Sequence, residues 1–402
     1  MAQSKIETFE YSADHPEILT VNMGPSHPAT HGVLRVVLKL DGETVVQAVP
    51  HLGYLHRGME KIAENRTYLQ FIPYTDRMDY LSPLAANVGF CLAVEELLGI
   101  RVPPRGEFLR ILCAELARIG SHLVWLGTHA LDLGAATMFF HTFKDREWHY
   151  DLVEDLTGAR LTTSFTRVGG AAHDATPDWL SRLDEFVRAF PARVDEYESL
   201  LTKNTIWVDR TQNVGVISAK DAIAQGLTGP RLRSTGVAYD VRKARPYLGY
   251  EKFEFDVPVG SAGDVYDSYL VRMEEMRQST RILRQAIDNM PDGPVNVDDP
   301  KIFLPAKKKV LTSMEELIHQ FMIVTEGFEC PAGEVYHATE VPKGELGFYI
   351  VSTGGKCPYR LRIRSSAFNN LSALARMSEG ELVADVVAII GSLDPVMGEV
   401  DR

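Results

Sequence analysis

The apolar positions of this chain follow a two-residue period near its N-terminus and a helical period through its middle. Residues 33–49 form two β-branched runs around an Asp-Gly pair, which predicts a β-hairpin. Apolar residues recur every three or four positions over 84–95, and Gly99 is placed to end that helix. The same spacing over 108–126 predicts a long core helix.

Two more helices are predicted farther along the chain. Thr176 followed by Pro177 is typical of an N-cap and the first helical position, and an apolar stripe continues to residue 201. Pro191 lies inside this stripe and predicts a kink. Residues 269–287 carry the next stripe. We interpret these stripes as core and assign them no role in cofactor binding.

The C-terminal part of the chain mixes loop, helix and strand patterns. Residues 289–305, rich in Pro, Asp and Asn, predict a loop, and 313–316 form a capping box that opens a helix. Residues 346–352 and 359–364 alternate with period two and predict strands, and 383–390 form a buried segment. Together the patterns predict an α+β protein with a central helical bundle, an N-terminal β-sheet and C-terminal strands.

The length of 402 residues is typical of two or three domains or layers. We divide the chain into an N-terminal sheet region at 1–60, a helical bundle at 61–290, and a C-terminal α/β region at 291–402. The C-terminal strands are expected to return the tail of the last region, residues 394–402, to a pocket beside the N-terminal sheet.

Charge and composition narrow the classes of function. The net charge of -12 argues against nucleic acid as the main partner. Within this acidic chain Arg360, Arg362 and Arg364 share one face of a predicted strand, either as a solvated surface or as a basic strip that faces a partner. No apolar run approaches the ~20 residues of a membrane span, and the N-terminus lacks the apolar core of a signal peptide. We therefore expect membrane association only through partners, and a bacterial source because no transit peptide precedes the chain.

The cysteines predict neither disulfides nor a metal site. Cys91, Cys113, Cys330 and Cys357 are far apart and form no C-x-x-C pair. This pattern is a poor disulfide framework and a poor metal site, and it suits a reducing compartment.

Two histidines lie in a short segment that is stiffened by prolines. His27 and His31 are flanked by Pro25, Pro28 and Gly32, so we expect a non-helical loop that leads into a strand. One interpretation is that the imidazoles cap a turn. The other is that they are aimed at a site, where histidine is the side chain best suited to exchange a proton near neutral pH.

Several long phrases identify the chain as resembling one family. Beside the HPATHG phrase at 27–32, these are the runs at 53–61, at 74–80 and at 393–402. Their joint occurrence resembles the 49-kDa or D subunit of bacterial NADH:quinone oxidoreductase, respiratory complex I, over roughly Val21 to Arg402.

That family is similar to the large subunit of nickel-iron hydrogenases, which implies a fold of that type. Arg57 to Glu60 matches the R-G-x-E element of the hydrogenases, and 394–402 has the frame of their terminal D-P-C-x-x-C motif. Val396 and Glu399 stand at its two cysteine positions, and the first C-x-x-C is absent. Because soft thiolates hold nickel and iron, this departure argues against a hydrogenase. The resemblance implies an emptied pocket that takes a quinone head group.

The resemblance also implies roles for three residues. His31 matches the histidine at the quinone head group, and Tyr80 matches the tyrosine that hydrogen-bonds the other end. Asp132 matches a carboxylate paired with that histidine, which would favour the charged imidazole. Donated hydrogen bonds and protons from such groups suit the reduction of quinone to quinol. From the residues alone, a core tyrosine and a helix-capping aspartate are the alternatives.

No electron carrier is encoded on this chain. The family implies a tetranuclear iron-sulfur cluster on the adjacent B subunit, with Arg77 against it and Arg57 nearby; surface salt bridges are the alternative. A fixed cation near a cluster raises its potential. The further partners implied are the 30-kDa C subunit, the ferredoxin-like I subunit and the membrane-embedded H subunit, on the cytoplasmic side of the plasma membrane.

One position departs from many relatives. Thr162 follows the Thr-Gly-x-Arg phrase where they carry a histidine near the cluster. Since threonine cannot become a cation, we expect a lower and less pH-dependent cluster potential, which favours menaquinone over ubiquinone. Two alternatives for the whole chain stay open: a related complex fed by another electron donor, and a scaffold subunit without catalytic residues.

Overall fold

The computed structural model describes residues 10–11 and 18–402 and shows a mixed α/β protein with three small sheets. The strands are β1 (Glu10–Tyr11), β2 (Ile18–Met23), β3 (Arg35–Asp41), β4 (Thr44–His51), β5 (Thr166–Arg167), β6 (Gly170–Ala171), β7 (Ala332–Val341), β8 (Gly344–Thr353) and β9 (Arg360–Arg364). The helices are α1 (Met59–Ala63), α2 (Tyr68–Asp76), α3 (Pro83–Leu98), α4 (Pro104–Asp132), α5 (Ala136–Thr157), α6 (Pro177–Leu201), α7 (Thr205–Thr211), α8 (Ala219–Ala224), α9 (Pro230–Arg233), α10 (Val241–Ala244), α11 (Val265–Asp288), α12 (Lys307–Val310), α13 (Met314–Glu326), α14 (Ser366–Leu371), α15 (Leu374–Ser378), α16 (Val383–Leu393) and α17 (Met397–Asp401).

The N-terminal sheet confirms the predicted hairpin. Strands β1 to β4 are antiparallel in sequence order, and β3 pairs with β4 around a turn in which Asp41 lies opposite Thr44. The turn lies one position later than the Asp-Gly pair alone suggests, and Gly42 adopts the left-handed φ of +60° that it requires. Alternate residues of β3 (Val36, Leu38 and Leu40) are buried, as the two-residue period predicts.

The central bundle confirms the predicted helices. Helices α3, α4, α6 and α11 extend the stripes predicted from the sequence by a few residues at most ends. Gly99 ends α3 at φ +68°, and the Thr176 hydroxyl accepts the Trp179 N–H at 3.2 Å to cap α6. Helix α5 packs closely on α4 because Gly120 leaves room for His149: a Cβ there would lie 2.6 Å from the imidazole.

The C-terminal region differs from the prediction in two ways. Strands β8 and β9 are confirmed, and β7 joins them as an edge strand that the sequence pattern did not predict. The segment at 383–390 belongs to helix α16, so helices rather than strands carry the tail back toward the site. A short continuous apolar run fits a buried helix as well as a buried strand, which explains the error.

Two local predictions also need correction, while one is confirmed. Ser313 precedes α13 but its side chain caps no backbone N–H, so the capping box is not formed. The histidine loop, predicted to be non-helical, contains one 3₁₀ turn at Pro28–Thr30. The predicted loop at 289–305 holds no helix or strand.

Two hydrophobic cores organise the described residues. The larger joins the helical bundle to β7–β9, and the other joins the N-terminal sheet to α14–α17. The tail and the histidine loop therefore belong to one core, beside the bundle. The division into three regions at residues 60 and 290 stays a prediction. Across residues 10–11 and 18–402, no helix has the length and apolar character needed to cross a bilayer.

Candidate functional site

The histidine loop is held rigidly and projects His31 outward. The Thr30 hydroxyl donates to the His27 carbonyl at 2.8 Å, and the His27 ring accepts the Ala29 N–H at 3.2 Å. A Cβ on Gly24 would lie 2.1 Å from the Leu34 carbonyl oxygen, so only glycine fits there. His27 is thus the turn cap, whereas His31 adopts a left-handed φ of +54° and its side chain is exposed.

A fully buried lysine lies behind His31. Lys343 is at the tip of the β7–β8 hairpin, and its ammonium donates to Ser121 at 2.5 Å and to Asp79 at 3.2 Å. The surrounding protein and the Lys343 charge lower the pKa of His31 to about 4. The His31 side chain nevertheless remains exposed at the surface. His31 is therefore neutral at pH 7.

Tyr80 lies near the carboxylates Asp79 and Asp394, whose charges act on it. It follows α2 by four residues, is half-buried, and its ring faces Gly398 of α17, where a Cβ would lie 3.1 Å from Cε1. The Tyr80 hydroxyl has no hydrogen-bond partner within residues 18–402. Burial, with the charges of Asp79 and Asp394, raises its pKa, so the hydroxyl stays protonated and free to donate.

Three buried carboxylates surround Lys343, and the sequence did not identify them as a group. They are Asp79, Asp394 and Glu399. Burial raises the pKa of Asp394 to about 6 and moves the pKa of Glu399 in the same direction. Their positions in the sequence could have identified them, since Asp79 precedes Tyr80 and the other two lie in the terminal motif. The sequence analysis interpreted Glu399 only as the replacement of a cysteine.

The predicted pair of His31 and Asp132 is not formed. Asp132 is the last residue of α4, is half-buried, and accepts no hydrogen bond from the described residues. Burial raises its pKa, and the charge that opposes this shift comes from His27 rather than from His31. Asp132 was also predicted to favour the charged imidazole of His31. The charge that acts on His31 is instead the Lys343 cation, which lowers the pKa of the imidazole.

The two predicted arginines lie together beside Tyr80. The Arg57 guanidinium donates to the Arg77 carbonyl at 2.9 Å and to the Gly398 carbonyl at 3.3 Å. Arg77 donates to the Pro73 carbonyl at 2.8 Å and faces Asp76 at 3.6 Å, with 48% of its side chain exposed. Both present positive charge at the surface.

Thr162 lies on the loop next to Arg77. The backbone N–H of Ser164, two residues on, donates to Asp76 at 3.0 Å, and the Ser164 hydroxyl donates to the same carboxylate. Asp76 is in turn the ion-pair partner of Arg77. The structure therefore joins the Thr162 loop to the predicted cluster-facing arginines.

The arginines of the basic strip on β9 form ion pairs and a hydrogen bond with other residues of this chain. Arg360 pairs with Glu64 at 3.0 Å, and Arg362 pairs with Glu60 at 3.2 Å. Arg364 donates to the Glu345 carbonyl at 2.6 Å. The first two side chains stay about half exposed, so the strip is a paired surface.

Two cavities lie away from His31 and Tyr80. The larger, about 730 Å³, lies between Leu69 of α2, the loop at 296–307 and α13. The smaller, about 400 Å³, is lined by His56, Glu60, Arg360 and Arg402. Among the residues that the structure describes, no group of three His, Cys, Asp or Glu side chains has the arrangement of a metal site.

Comparison with known proteins identifies the family of this chain. Residues 132–402 match the family described as respiratory-chain NADH dehydrogenase, 49 Kd subunit. The chain is 59% identical to the D subunit of NADH-quinone oxidoreductase from Methylacidiphilum infernorum, over 97% of this chain and 93% of that protein. It is 58% identical to the D 1 subunit from Opitutus terrae, over 98% and 92%, and 54% identical to the D subunit from Geobacter sulfurreducens, over 96% and 99%. The chain therefore belongs to the 49 Kd subunit family of the respiratory-chain NADH dehydrogenases.

Proposed function

We propose that this chain is the D subunit of an NADH:quinone oxidoreductase and that His31 and Tyr80 bind the quinone head group. The observation that carries the proposal is the placement of these two side chains. Both face the buried cluster around Lys343, and both present a polar group that is open to a ligand. The relatives that match over almost their whole length are D subunits of NADH-quinone oxidoreductase, which supports the assignment to the enzyme complex.

The two side chains suit the chemistry of quinone reduction. The Tyr80 hydroxyl and the N–H of neutral His31 each donate a hydrogen bond to one quinone carbonyl, which stabilises negative charge as electrons arrive. Tyr80 then supplies a proton to the reduced oxygen. Asp132, which ends α4 and is half-buried, stays a proposed member of the site.

Electrons would enter on the side of Arg57 and Arg77. We assign the donor to the iron-sulfur B subunit, whose tetranuclear cluster supplies one-electron transfer. The exposed guanidinium of Arg77 and the adjacent Arg57 offer positive charge to that partner. With Thr162 on the same surface, we assign a low cluster potential and menaquinone as the substrate.

A hydrogenase-type architecture is part of the same proposal. The tail returns to the site on α16 and α17, and Glu399, which stands at a cysteine position of the hydrogenase motif, is buried there with Asp394. A buried lysine among these carboxylates replaces the metal's positive charge.

The surface of α13 supports a role within a larger assembly. Six large apolar side chains of this helix are exposed: Met314, Leu317, Ile318, Phe321, Met322 and Val324. A monomer rarely exposes so many together. We propose that the B, C, I and H subunits are the partners, and that the complex holds this chain at the cytoplasmic face of the bacterial plasma membrane.

Membranes carrying Tyr80→Phe and His31→Ala variants test the proposal. We expect NADH oxidation by quinone to fall by about 100-fold while NADH oxidation by ferricyanide, which accepts electrons upstream, is retained. Tyr74→Phe is the matched control, since Tyr74 lies on α2 with its ring stacked on Phe71. Unchanged quinone reduction in an assembled complex would favour the scaffold alternative, and full activity with a donor other than NADH would favour a related complex.

A further inference from the structure

The cluster behind Tyr80 contains more acid than base. Asp79, Asp394 and Glu399 are each less than a tenth exposed. The cations that face them are Lys343, from the β7–β8 turn, and Arg272, from α11. Since two cations balance only two carboxylates, a third ionised carboxylate would be a buried charge without compensation.

The groups on the other packed elements do not restore the balance. His31 and His129 face Lys343 and Arg272 from the loop and from α4, and the pKa of each is lowered, to about 4 and about 3, so both are neutral. Arg272 also faces Glu275 of its own helix, so its positive charge is shared between Glu275 and Asp394.

The hydrogen bonds show where a proton would reside. Oδ1 of Asp79 accepts hydrogen bonds from the Lys343 ammonium and the Leu81 N–H. Oε1 of Glu399 accepts hydrogen bonds from the Ser366 N–H and hydroxyl. The second oxygen of each carboxylate, and Oδ2 of Asp394, is buried without a partner among the described residues. Protonation removes the charge from such an oxygen and makes it a donor.

We infer that Asp79, Asp394 and Glu399, the carboxylate triad, together hold one proton and pass it to Tyr80 during turnover. This inference rests on the proposed function. Two electrons from NADH reach the quinone through the partner's iron-sulfur clusters, and Tyr80 gives its hydroxyl proton to one quinone oxygen. The O–H bond of the triad then breaks and its proton restores the Tyr80 hydroxyl. The second proton comes from water at the open His31 side, and water also reprotonates the triad.

The upward pKa shifts of Asp394 and Glu399 agree in direction with this arrangement. A group that titrates near the working pH is the most efficient proton donor and acceptor. Tyr80 follows Asp79 directly, and the charges of Asp79 and Asp394 both act on it. Because the Tyr80 hydroxyl makes no direct hydrogen bond to these carboxylates, the proposed transfer passes through water.

The test uses Asp394→Asn in the assembled complex. Asn has the same shape, tolerates the left-handed φ of +49° at this position, and replaces a side chain that accepts no hydrogen bond from the described residues. We expect quinone reduction to fall by about 100-fold with the ferricyanide rate retained, and Asp394→Glu to restore most of it. Asp385→Asn is the control, since Asp385 lies on α16, the helix that Asp394 follows, but binds Arg210.

Infrared titration of the complex separates a proton store from a structural role. The wild-type complex should show the carbonyl stretch of a carboxylic acid that disappears as the pH rises through neutrality, and Asp394→Asn should remove or shift it. A wild-type complex without such a band overturns the inference, even if the variant fails to assemble. Unchanged quinone reduction in Asp394→Asn overturns it too, while loss in Tyr80→Phe would leave the proposed function standing.

Discussion

The contact of Gly398 with the Tyr80 segment gives a quantitative test of the site. Gly398 lies in the first turn of α17, and a Cβ there would lie 2.6 Å from the Met78 carbonyl oxygen, 2.8 Å from the Arg77 carbonyl oxygen and 3.1 Å from the Tyr80 ring. Two of these neighbours are backbone atoms, which cannot rotate away. Relief to an ordinary contact of 3.4 Å requires a movement of about 0.8 Å between α17 and the segment that carries Tyr80.

Two measurements on Gly398→Ala follow from this movement. A displacement of about 1 Å in a positioned group costs about 100-fold in rate, so we expect quinone reduction to fall by that order with ferricyanide reduction retained. Overpacking should also lower stability by about 1–3 kcal/mol, although alanine in a free helix would raise it by ~1 kcal/mol. Thermal unfolding of the subunit within the complex measures the second effect.

The matched control is Gly333→Ala on strand β7. A Cβ at Gly333 meets only the Leu97 side chain at 3.6 Å, which is an ordinary contact. This variant should keep both the quinone rate and the melting temperature. If Gly398→Ala reduces quinone at the wild-type rate, the placement of Tyr80 against α17, or the role of Tyr80, is wrong.

Three further predictions concern a buried ion pair of the core, the loop that carries Thr162, and the pH dependence of stability. Glu95→Gln should destabilise the folded chain by about 3–5 kcal/mol in a thermal unfolding experiment, because it leaves the buried Arg110 guanidinium, now 2.5 Å from Glu95, without a counter-charge. The control is Glu96→Gln, which removes a surface pair with His337 and should lower the free energy of unfolding by under ~1 kcal/mol. Thr162→His should raise the midpoint potential of the iron-sulfur cluster proposed for the partner subunit and make this potential more pH-dependent, and a redox titration with no change in either would contradict the proposed role of this loop. The folded chain holds the Asp394 proton more tightly than the unfolded chain, so this carboxyl destabilises the fold as the pH rises from 3.8 through about 6, by about 3 kcal/mol in all. The melting temperature of Asp394→Asn should therefore exceed that of wild type by more at pH 7 than at pH 5, and an equal difference at both would contradict the shift.

Local sequence signals predicted most elements of the fold. The stripes of α3, α4, α6 and α11, the Gly99 stop and the Thr176 cap depend on contacts within a few residues, so they can be read directly. The errors fell where local signals are ambiguous. The run at 383–390 fits a strand or a helix, and the edge strand β7 is mostly exposed in its first half, so no alternation of buried and exposed positions marks it.

The candidate site was only partly predictable. The resemblance led to His31, Tyr80, Arg57 and Arg77, and the structure places the last three side by side. It could not show that Asp132 makes no hydrogen bond to His31, because the position of the loop relative to the end of α4 is set by tertiary packing.

The sequence by itself determined the family, the helical stripes and the residues near the proposed quinone site, because each of these is carried by short phrases and periodicities. The tertiary structure alone decided the electrostatics. Lys343 lies in a Pro-Lys-Gly segment that resembles an exposed turn, yet the hairpin tip is buried and brings its charge to Asp79, Ser121 and His31. Burial and distance between residues hundreds of positions apart set the charge balance of the triad, and no local pattern records them.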